Sequence, residues 1–337
     1  MSATIAGLAG QRFCIVGGAG FIGSHFTDAL LGNPEVAQVT LYDNFSSGRE
    51  WHYAHHAADP RLRVVRGDVE KVDELRRALD GHDVVIHLAS NPDIARAATE
   101  PSIDFWQGTA LTHSVVEAMR TTSAKRILYA SGSGVYGDLG TREAQEDKGP
   151  FVPVSTYGAS KLAGEALIAS YAYMFGLSGC AFRFGNVVGP RQTHGVGFDF
   201  ARRLLVEPAG PGRRVPLRIL GDGTQSKSYI HVGDVVRAVL TAHAQSTQPF
   251  QVFNVATGDY ITVTEIAHIA VACLGLSPEQ VDFQYTGGDR GWKGDVPVVR
   301  LNTDRIKATG WRCERTSAEA LRQSILAMLP DLKAGRM

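Results

Sequence analysis

Val16-Gly17-Gly18-Ala19-Gly20-Phe21-Ile22-Gly23-Ser24-His25 joins a short apolar run to the start of a helical pattern. Phe13 to Val16 reads as a buried strand, and Phe21, Ile22, Phe26, Leu30 and Leu31 recur at helical spacing. Between them Gly17, Gly20 and Gly23 are spaced G-x-x-G-x-x-G. A backbone without Cβ lets a phosphate come close, and a helix N-terminus offers free N–H groups and the positive end of its dipole. The stretch therefore reads as the first strand–turn–helix of a dinucleotide-binding fold, with a Gly-rich turn that binds nothing as the plain alternative.

The next strand strengthens the first reading. Val39-Thr40-Leu41-Tyr42-Asp43 ends in an acid followed by Asn44. A carboxylate placed there can accept hydrogen bonds from both ribose hydroxyls and would repel a 2′-phosphate, which favours NAD over NADP.

Outward from this unit, strand and helix patterns alternate as far as residue 185. Strands are expected at 12–16, 38–43, 62–66, 83–88, 125–131 and 178–184, with helices near 20–32, 70–80, 101–121 and 157–175. Apolar, β-branched strands separated by helices imply an α/β fold, a doubly wound parallel sheet covered on both faces. Right-handed crossovers then gather the strand C-terminal ends, and the loops after them, along one edge. After about residue 190, Pro208, Gly210, Pro211, Gly212 and Pro216 break the pattern. Short strands mix there with helices near 196–206, 233–245, 263–274 and 317–328. The expected organisation is a Rossmann-type NAD-binding domain over 1–185 and a smaller α+β substrate lobe over 186–337, interleaved with the first.

Composition limits the function classes. The 337 residues are 44% hydrophobic and 20% charged, with 34 Lys plus Arg against 34 Asp plus Glu. This balance points to neither nucleic acid nor a membrane surface as partner. No apolar run approaches the roughly twenty residues that span a bilayer, and the N-terminus carries no basic segment followed by an apolar one, so a cytoplasmic enzyme is expected. Cys14, Cys180, Cys273 and Cys313 are scattered, three of them in apolar patterns, which fits a reducing compartment. His52, His55 and His56 lie in an Ala-rich stretch with no carboxylate cluster beside them, and no metal site is expected.

Tyr157-Gly158-Ala159-Ser160-Lys161 opens the last helix of the first half. Residues four apart share a helix face, so the phenol and the ammonium can meet one ligand. A nearby Lys⁺ and the positive ring of NAD⁺ would both favour the phenolate of a Tyr whose ordinary pKa is near 10. Tyr157 could then take a proton from a hydroxyl while hydride leaves the same carbon. Such a pair on a solvated face would do nothing; its place downstream of the glycine turn gives it a cofactor to work with.

The motif series resembles the extended short-chain dehydrogenase/reductase superfamily, specifically its nucleotide-sugar epimerase/dehydratase branch. The resemblance runs over nearly the whole chain. It rests on the glycine turn, Asp43-Asn44, Gly67-Asp68-Val69, His87-Leu88-Ala89-Ser90, Val135-Tyr136-Gly137 and Tyr157 to Lys161. Arg183 to Arg191, Gly221 to Gln225, His231 to Asp234 and Gly294-Asp295 continue the series.

The resemblance implies NAD held by Gly17, Gly20, Phe21, Ile22, Gly23, Asp43 and Asn44, with Asp68 and Val69 at the adenine. Leu88, Ala89 and Ser90 would line the cofactor, and Lys161 would bind the nicotinamide ribose. It implies a nucleoside-diphosphate sugar contacted by Asn186, Arg191, Lys227, Arg290 and Asp295. Lys227 stands where the family often has Arg, and without the guanidinium fork it reads equally as a solvated surface lysine. A homodimer through the helices at 101–121 and 157–175 is also implied, although their apolar positions could equally be core.

The chain departs from the family pattern twice. Gly132 occupies the usual Ser/Thr position four residues before Tyr136, leaving Ser131 or Ser133 to supply the hydroxyl. Gly108 stands where an Asn is common, four residues before Thr112. Ser133 and Gly134 replace the Asp-Glu pair of related 4,6-dehydratases, which removes the acid and base for loss of water. The expectation is therefore an NAD-dependent nucleotide-sugar epimerase, acting at C4 through Tyr157, Lys161 and Ser131 or Ser133. A dehydratase or other oxidoreductase or lyase of the same superfamily is the second reading, and a non-enzymatic NAD sensor the third.

Overall fold

The structure is a computed structural model that describes residues 7–91, 93–206, 214–292 and 294–335. Pro208, Gly210, Pro211 and Gly212 lie outside the described residues. The first half contains β1 (Arg12–Val16), α1 (Phe21–Leu31), β2 (Gln38–Asp43), β3 (Leu62–Arg66), α2 (Val72–Leu79), β4 (Val84–His87), α3 (Leu111–Arg120), β5 (Arg126–Gly132), α4 (Thr156–Phe175) and β6 (Ser178–Phe184). Then come β7 (Asn186–Val188), α5 (Val196–Val206), β8 (Val215–Ile219), β9 (Ser226–Lys227), β10 (Tyr229–His231), α6 (Val232–Gln245) and β11 (Phe250–Val255). The chain continues with β12 (Ile261–Thr262), α7 (Val263–Cys273), β13 (Val281–Tyr285), α8 (Asp304–Lys307) and α9 (Ser317–Lys333).

Seven parallel strands form one sheet in the order β3-β2-β1-β4-β5-β6-β11. The inner strands bury both faces, which is why they read as unbroken apolar runs rather than alternating ones. Val16 sits level with Tyr42 on one side and His87 on the other. The glycine turn after β1, Asp43 at the end of β2 and Leu88 to Ser90 after β4 therefore leave the sheet side by side.

The chain crosses back to this sheet after residue 186. β11 extends it beyond β6, and α6 packs into the core around Phe13, Phe26 and Phe182. A separate core forms between α5, α7, α9 and the paired β8 and β13, around Phe198, Leu217, Ile266, Leu321 and Ile325. Pro216 is accommodated within β8, a strand with a single partner, where a missing N–H donor is tolerated.

The helix expected over 101–121 is two pieces. Phe105–Ala110 is a π-helical turn, and regular α-helix begins only at Leu111. Gln107 leaves helical geometry at φ −91°, ψ 15°, and its carbonyl accepts from the Asn91 N–H at 3.0 Å. Of the four cysteines, all free, Cys14 and Cys180 are buried and Cys273 and Cys313 half-buried.

α4 begins cleanly because Ser155 caps it, its hydroxyl accepting from the Gly158 N–H at 3.1 Å. The helix is fastened to the sheet by a buried ion pair. Arg183 of β6 donates to Glu165 of α4 at 3.0 and 2.7 Å, while its guanidinium lies against the rings of Tyr136 and Phe151. Removing one member would leave an unpaired buried charge, at a cost of about 3–5 kcal/mol. Arg183→Met should therefore lower stability by that amount in denaturant melts, and Arg183→Met/Glu165→Gln should recover a substantial part of it. Equal stability of the Arg183→Met protein and the parent would contradict this account.

Candidate active site

The loops at the strand ends enclose a cleft of about 900 Å³. It is lined by Gly17, Gly20, Phe21, Ile22, Gly23, Asp43, Asn44, Asp68, Val69, Leu88, Ala89 and Ser90 from the first half. Ser131, Ser133, Tyr157 and Lys161 line it at the ends of β5 and α4, and Asn186, Lys227 and Asp295 complete it.

The glycine turn is built to admit a ligand at one point. Gly17 has φ +83°, and a Cβ there would lie 2.7 Å from the Ala89 nitrogen, so both backbone and packing demand glycine. At Gly20 an added Cβ would meet nothing nearer than the Gly17 carbonyl at 3.4 Å. The loop thus packs tightly at its first glycine and leaves an open backbone surface at its second, beside the N-terminus of α1. Asp43 braces this loop by accepting from the Ala19 N–H at 2.9 Å, and its other oxygen accepts from the Phe45 N–H at 2.7 Å. Burial pushes its carboxyl upward, and those two N–H groups oppose the shift. Tyr42 donates to the Asp68 carbonyl at 2.9 Å, holding 68–69 over the same end of the cleft. These residues fit a dinucleotide: an open glycine backbone at a helix N-terminus for the phosphates and an acid at the next strand end for the ribose.

Tyr157 and Lys161 sit one turn apart at the start of α4. The Lys161 ammonium donates to the Ala130 carbonyl at 2.9 Å and lies 5.4 Å from the Tyr157 ring centre and 5.2 Å from that of Tyr129. Burial pushes the Tyr157 phenol up to about 12, and the charge of Asp104 adds to the rise. Burial lowers Lys161 to about 8, with Asp104 and Glu165 opposing. His87, beneath them in the sheet, is driven down to about 3 by burial and then by Lys161, and stays neutral.

The two serines have different surroundings. The Ser131 hydroxyl donates to Glu165 at 2.5 Å, so it belongs to the Glu165–Arg183 pair. Ser133 stands in the 3-10 turn Ser133–Tyr136. Gly132 between them has extended backbone, and a Cβ on it would meet nothing closer than Tyr157 Cε1 at 4.0 Å. A hydroxyl-bearing side chain at 132 would therefore face the phenol in open space. Gly108 is a different case. A Cβ there would come within 2.7 Å of Ser160 Oγ, so the residue packs closely against α4.

Two expected substrate contacts do not reach the cleft. Arg191 turns away to pair with Asp28, and it also donates to the His52 carbonyl at 2.8 Å and contacts His25. Arg290 donates to the Asp295 carbonyl at 2.6 Å and to Asp138 at 2.8 Å. Both guanidiniums are engaged by an acid distant in sequence, Asp28 for Arg191 and Asp138 for Arg290. Lys227 pairs with Asp295 at 2.5 Å within the cleft wall, and it is not a free surface lysine. Asn186 donates through Nδ2 to the Ser228 carbonyl at 3.1 Å. In the second lobe Trp292 lines the cleft, whereas Phe198 is core.

The sequence reading missed Asn91, Gln107, His194 and Tyr229, which also line the cleft. Tyr229 was accessible through the alternation from Lys227; Gln107 is delivered by the π turn, for which no sequence signal was apparent. The fold also brings Asp28 of α1 to His55 and His56, at 2.8 and 2.9 Å, supplying the carboxylate that seemed lacking for a metal. Its oxygens are already engaged by the two imidazoles and the Arg191 guanidinium, and that positive charge opposes a cation there.

A doubly wound sheet with a Tyr–Lys couple facing a glycine turn defines an extended short-chain dehydrogenase/reductase. The sequence pattern described as NAD dependent epimerase/dehydratase family matches residues 13–256, and the chain belongs to that family, with NAD as cofactor. The UDP-glucose 4-epimerase of Corynebacterium glutamicum is 29% identical over 323 residues, covering 92% of this chain and 93% of its own. A crystal structure of a UDP-galactose 4-epimerase is 35% identical, with a TM-score of 0.81 over 95% of this chain and 99% of its own. DesIV, a dTDP-glucose 4,6-dehydratase from Streptomyces venezuelae solved with NAD bound, is 26% identical, with a TM-score of 0.85 over 96% and 98%. Among the described residues no helix is long and apolar enough to cross a membrane.

Asp43→Ala removes both the acid at the ribose position and the brace on the glycine turn. Affinity for NAD should fall by about 1.5–3 kcal/mol, roughly ten- to 150-fold, in a calorimetric titration, since hydrogen bonds to a charged group are of that size. Unchanged affinity would remove Asp43 from the cofactor site.

Proposed function

We propose that the protein is an NAD-dependent epimerase of a nucleoside-diphosphate sugar, inverting C4 by transient oxidation to a keto-sugar and re-reduction on its other face. The observation that carries this reading is the convergence of Tyr157, Lys161 and the glycine turn on one cleft, with no carboxylate at 131–134. NAD held by the glycine turn and Asp43 would supply hydride-transfer chemistry in both directions.

The chain's own part is to move one proton and hold the sugar. Tyr157 takes the proton from the C4 hydroxyl on oxidation and gives it back on re-reduction. A phenol held near 12 by burial is almost wholly protonated at neutral pH, so the Lys161 charge is needed to make the phenolate accessible. Ser133 bonds the reacting oxygen, because the Ser131 hydroxyl is committed to Glu165. Lys227 and Asn186 stand at the diphosphate, with Lys227 exchanging Asp295 for a phosphate oxygen.

A 4,6-dehydratase would need an acid and a base where Ser133 and Gly134 stand. A Cβ at Gly134 would lie 3.3 Å from the Cα of Gly158, in the first turn of α4. That crowding favours the epimerase, whose chemistry needs no carboxylate there. The protein is also read as a cytoplasmic homodimer through α3 and α4. Tyr173 and Met174, exposed at the end of α4, support that surface.

Incubation with UDP-glucose and a panel of related sugar nucleotides should yield the C4 epimer by NMR, with no loss of water and no accumulation of NADH. Tyr157→Phe should retain NAD and the parent's melting temperature while turnover falls by about 10²–10⁴, the range for a lost general acid/base. Full turnover in this variant would sink the assignment. Ser133→Ala should reduce kcat by about tenfold with little change in KM, as expected for one hydrogen bond of about 1.4 kcal/mol made in the transition state.

A further inference from the structure

We propose that Asp104 is a positioning residue for the Tyr157–Lys161 couple, a buried carboxylate that fastens the first turn of α4 and sets the charge environment of the phenol. The proposal rests on the reading of Tyr157 as the acid/base group.

Asp104 stands immediately before the π turn and is 1% exposed. One oxygen accepts from Asn91 Nδ2 at 2.9 Å, the other from the Thr156 hydroxyl at 2.7 Å. Both partners donate, which is the pattern of an ionised carboxylate rather than a carboxylic acid. Neither partner carries a charge, and no ion pair to Asp104 is found among the described residues.

Three cleft-lining segments meet at this carboxylate. Asn91 follows Ser90 in the loop after β4, and its N–H is held by the Gln107 carbonyl of the π turn. Its side-chain oxygen accepts from the Asp93 N–H at 2.9 Å, so the amide is fixed with its donors facing Asp104. Thr156 directly precedes Tyr157. Asp104 thus ties the loop after β4, the π turn and the helix carrying the phenol into one unit.

The charge acts on both members of the couple in one direction. An anion there disfavours the phenolate of Tyr157 and favours the ammonium of Lys161. The other groups around the couple are Glu165 on α4, neutralised by Arg183 of β6, with neutral His87 on β4 and Tyr129 on β5. Among the described residues around the couple, Asp104 is therefore a carboxylate without an ion-pair partner. Such an anion, with Glu165, opposes the loss of the Lys161 proton within a buried site, and the accompanying rise at Tyr157 is what Lys161 and the cofactor must offset.

The test needs no sugar nucleotide, so its outcome is separate from that of the turnover assays. In NAD-loaded protein the Tyr157 phenolate is followed by near-ultraviolet absorbance against pH, after subtraction of the Tyr157→Phe variant. Asp104→Asn keeps the shape and an acceptor oxygen but not the charge. Its Tyr157 midpoint should fall by about half to one pH unit, less than the effect of a charge in direct contact. Asp104→Glu and Thr156→Val, which both retain the charge, should stay within about 0.2 unit of the parent, since they leave the like-charge effect in place. A midpoint unmoved in Asp104→Asn, or moved as far in Thr156→Val, overturns the proposal. So does an Asp104→Asn protein that fails to fold while Asp104→Glu shows a displaced midpoint.

Discussion

Glu165 and Arg183 meet with almost no water around them, and the placement of α4 follows from that meeting. An ion pair removed from solvent recovers its desolvation cost only when its geometry is complete. Here Arg183 presents two nitrogens to one carboxylate, donates a third time to the Glu146 carbonyl and lies against two aromatic rings. Ser131 fills the remaining position on Glu165. The same helix carries Tyr157 two turns earlier, so an arrangement that contributes little net stability sets where the phenol stands.

Burial at the couple works against its chemistry. It makes the phenol a weaker acid and the ammonium a stronger one, and each change moves the pair away from the phenolate–ammonium state. The cleft compensates with charge rather than with water. A positively charged ring beside the phenol would act in the same direction as Lys161, toward the phenolate.

The parts legible in the sequence are those fixed by local periodicity. β1, β2 and β6 lie at the expected residues because buried parallel strands are contiguous apolar runs, and the exposed edge strand β3 lies where it was expected as well; α4 is visible because Ala163, Leu167, Ile168 and Tyr171 recur at helical spacing. What escaped was decided by long side chains and backbone irregularity. Arg191 was expected at the substrate but reaches Asp28 across 163 positions of sequence. Asp28 and His55, 27 residues apart, meet only when α1 folds against the following segment. The π turn moves Gln107 into the cleft, and its insertion leaves no mark in the hydrophobic pattern. Ser131 and Ser133 looked equivalent as neighbours in a chain, and only the buried acid behind the strand separates them.

The surroundings of Gly132 leave open which residue stands there. The backbone there is extended, so any amino acid could adopt it, and the space in front of it is open as far as the phenol. Four of the six serine codons differ from every glycine codon by at least two bases, but the remaining two lie a single base away. The fold places no barrier on that step in either direction, so a lineage can gain or lose a hydroxyl opposite Tyr157 by point mutation without rebuilding a loop.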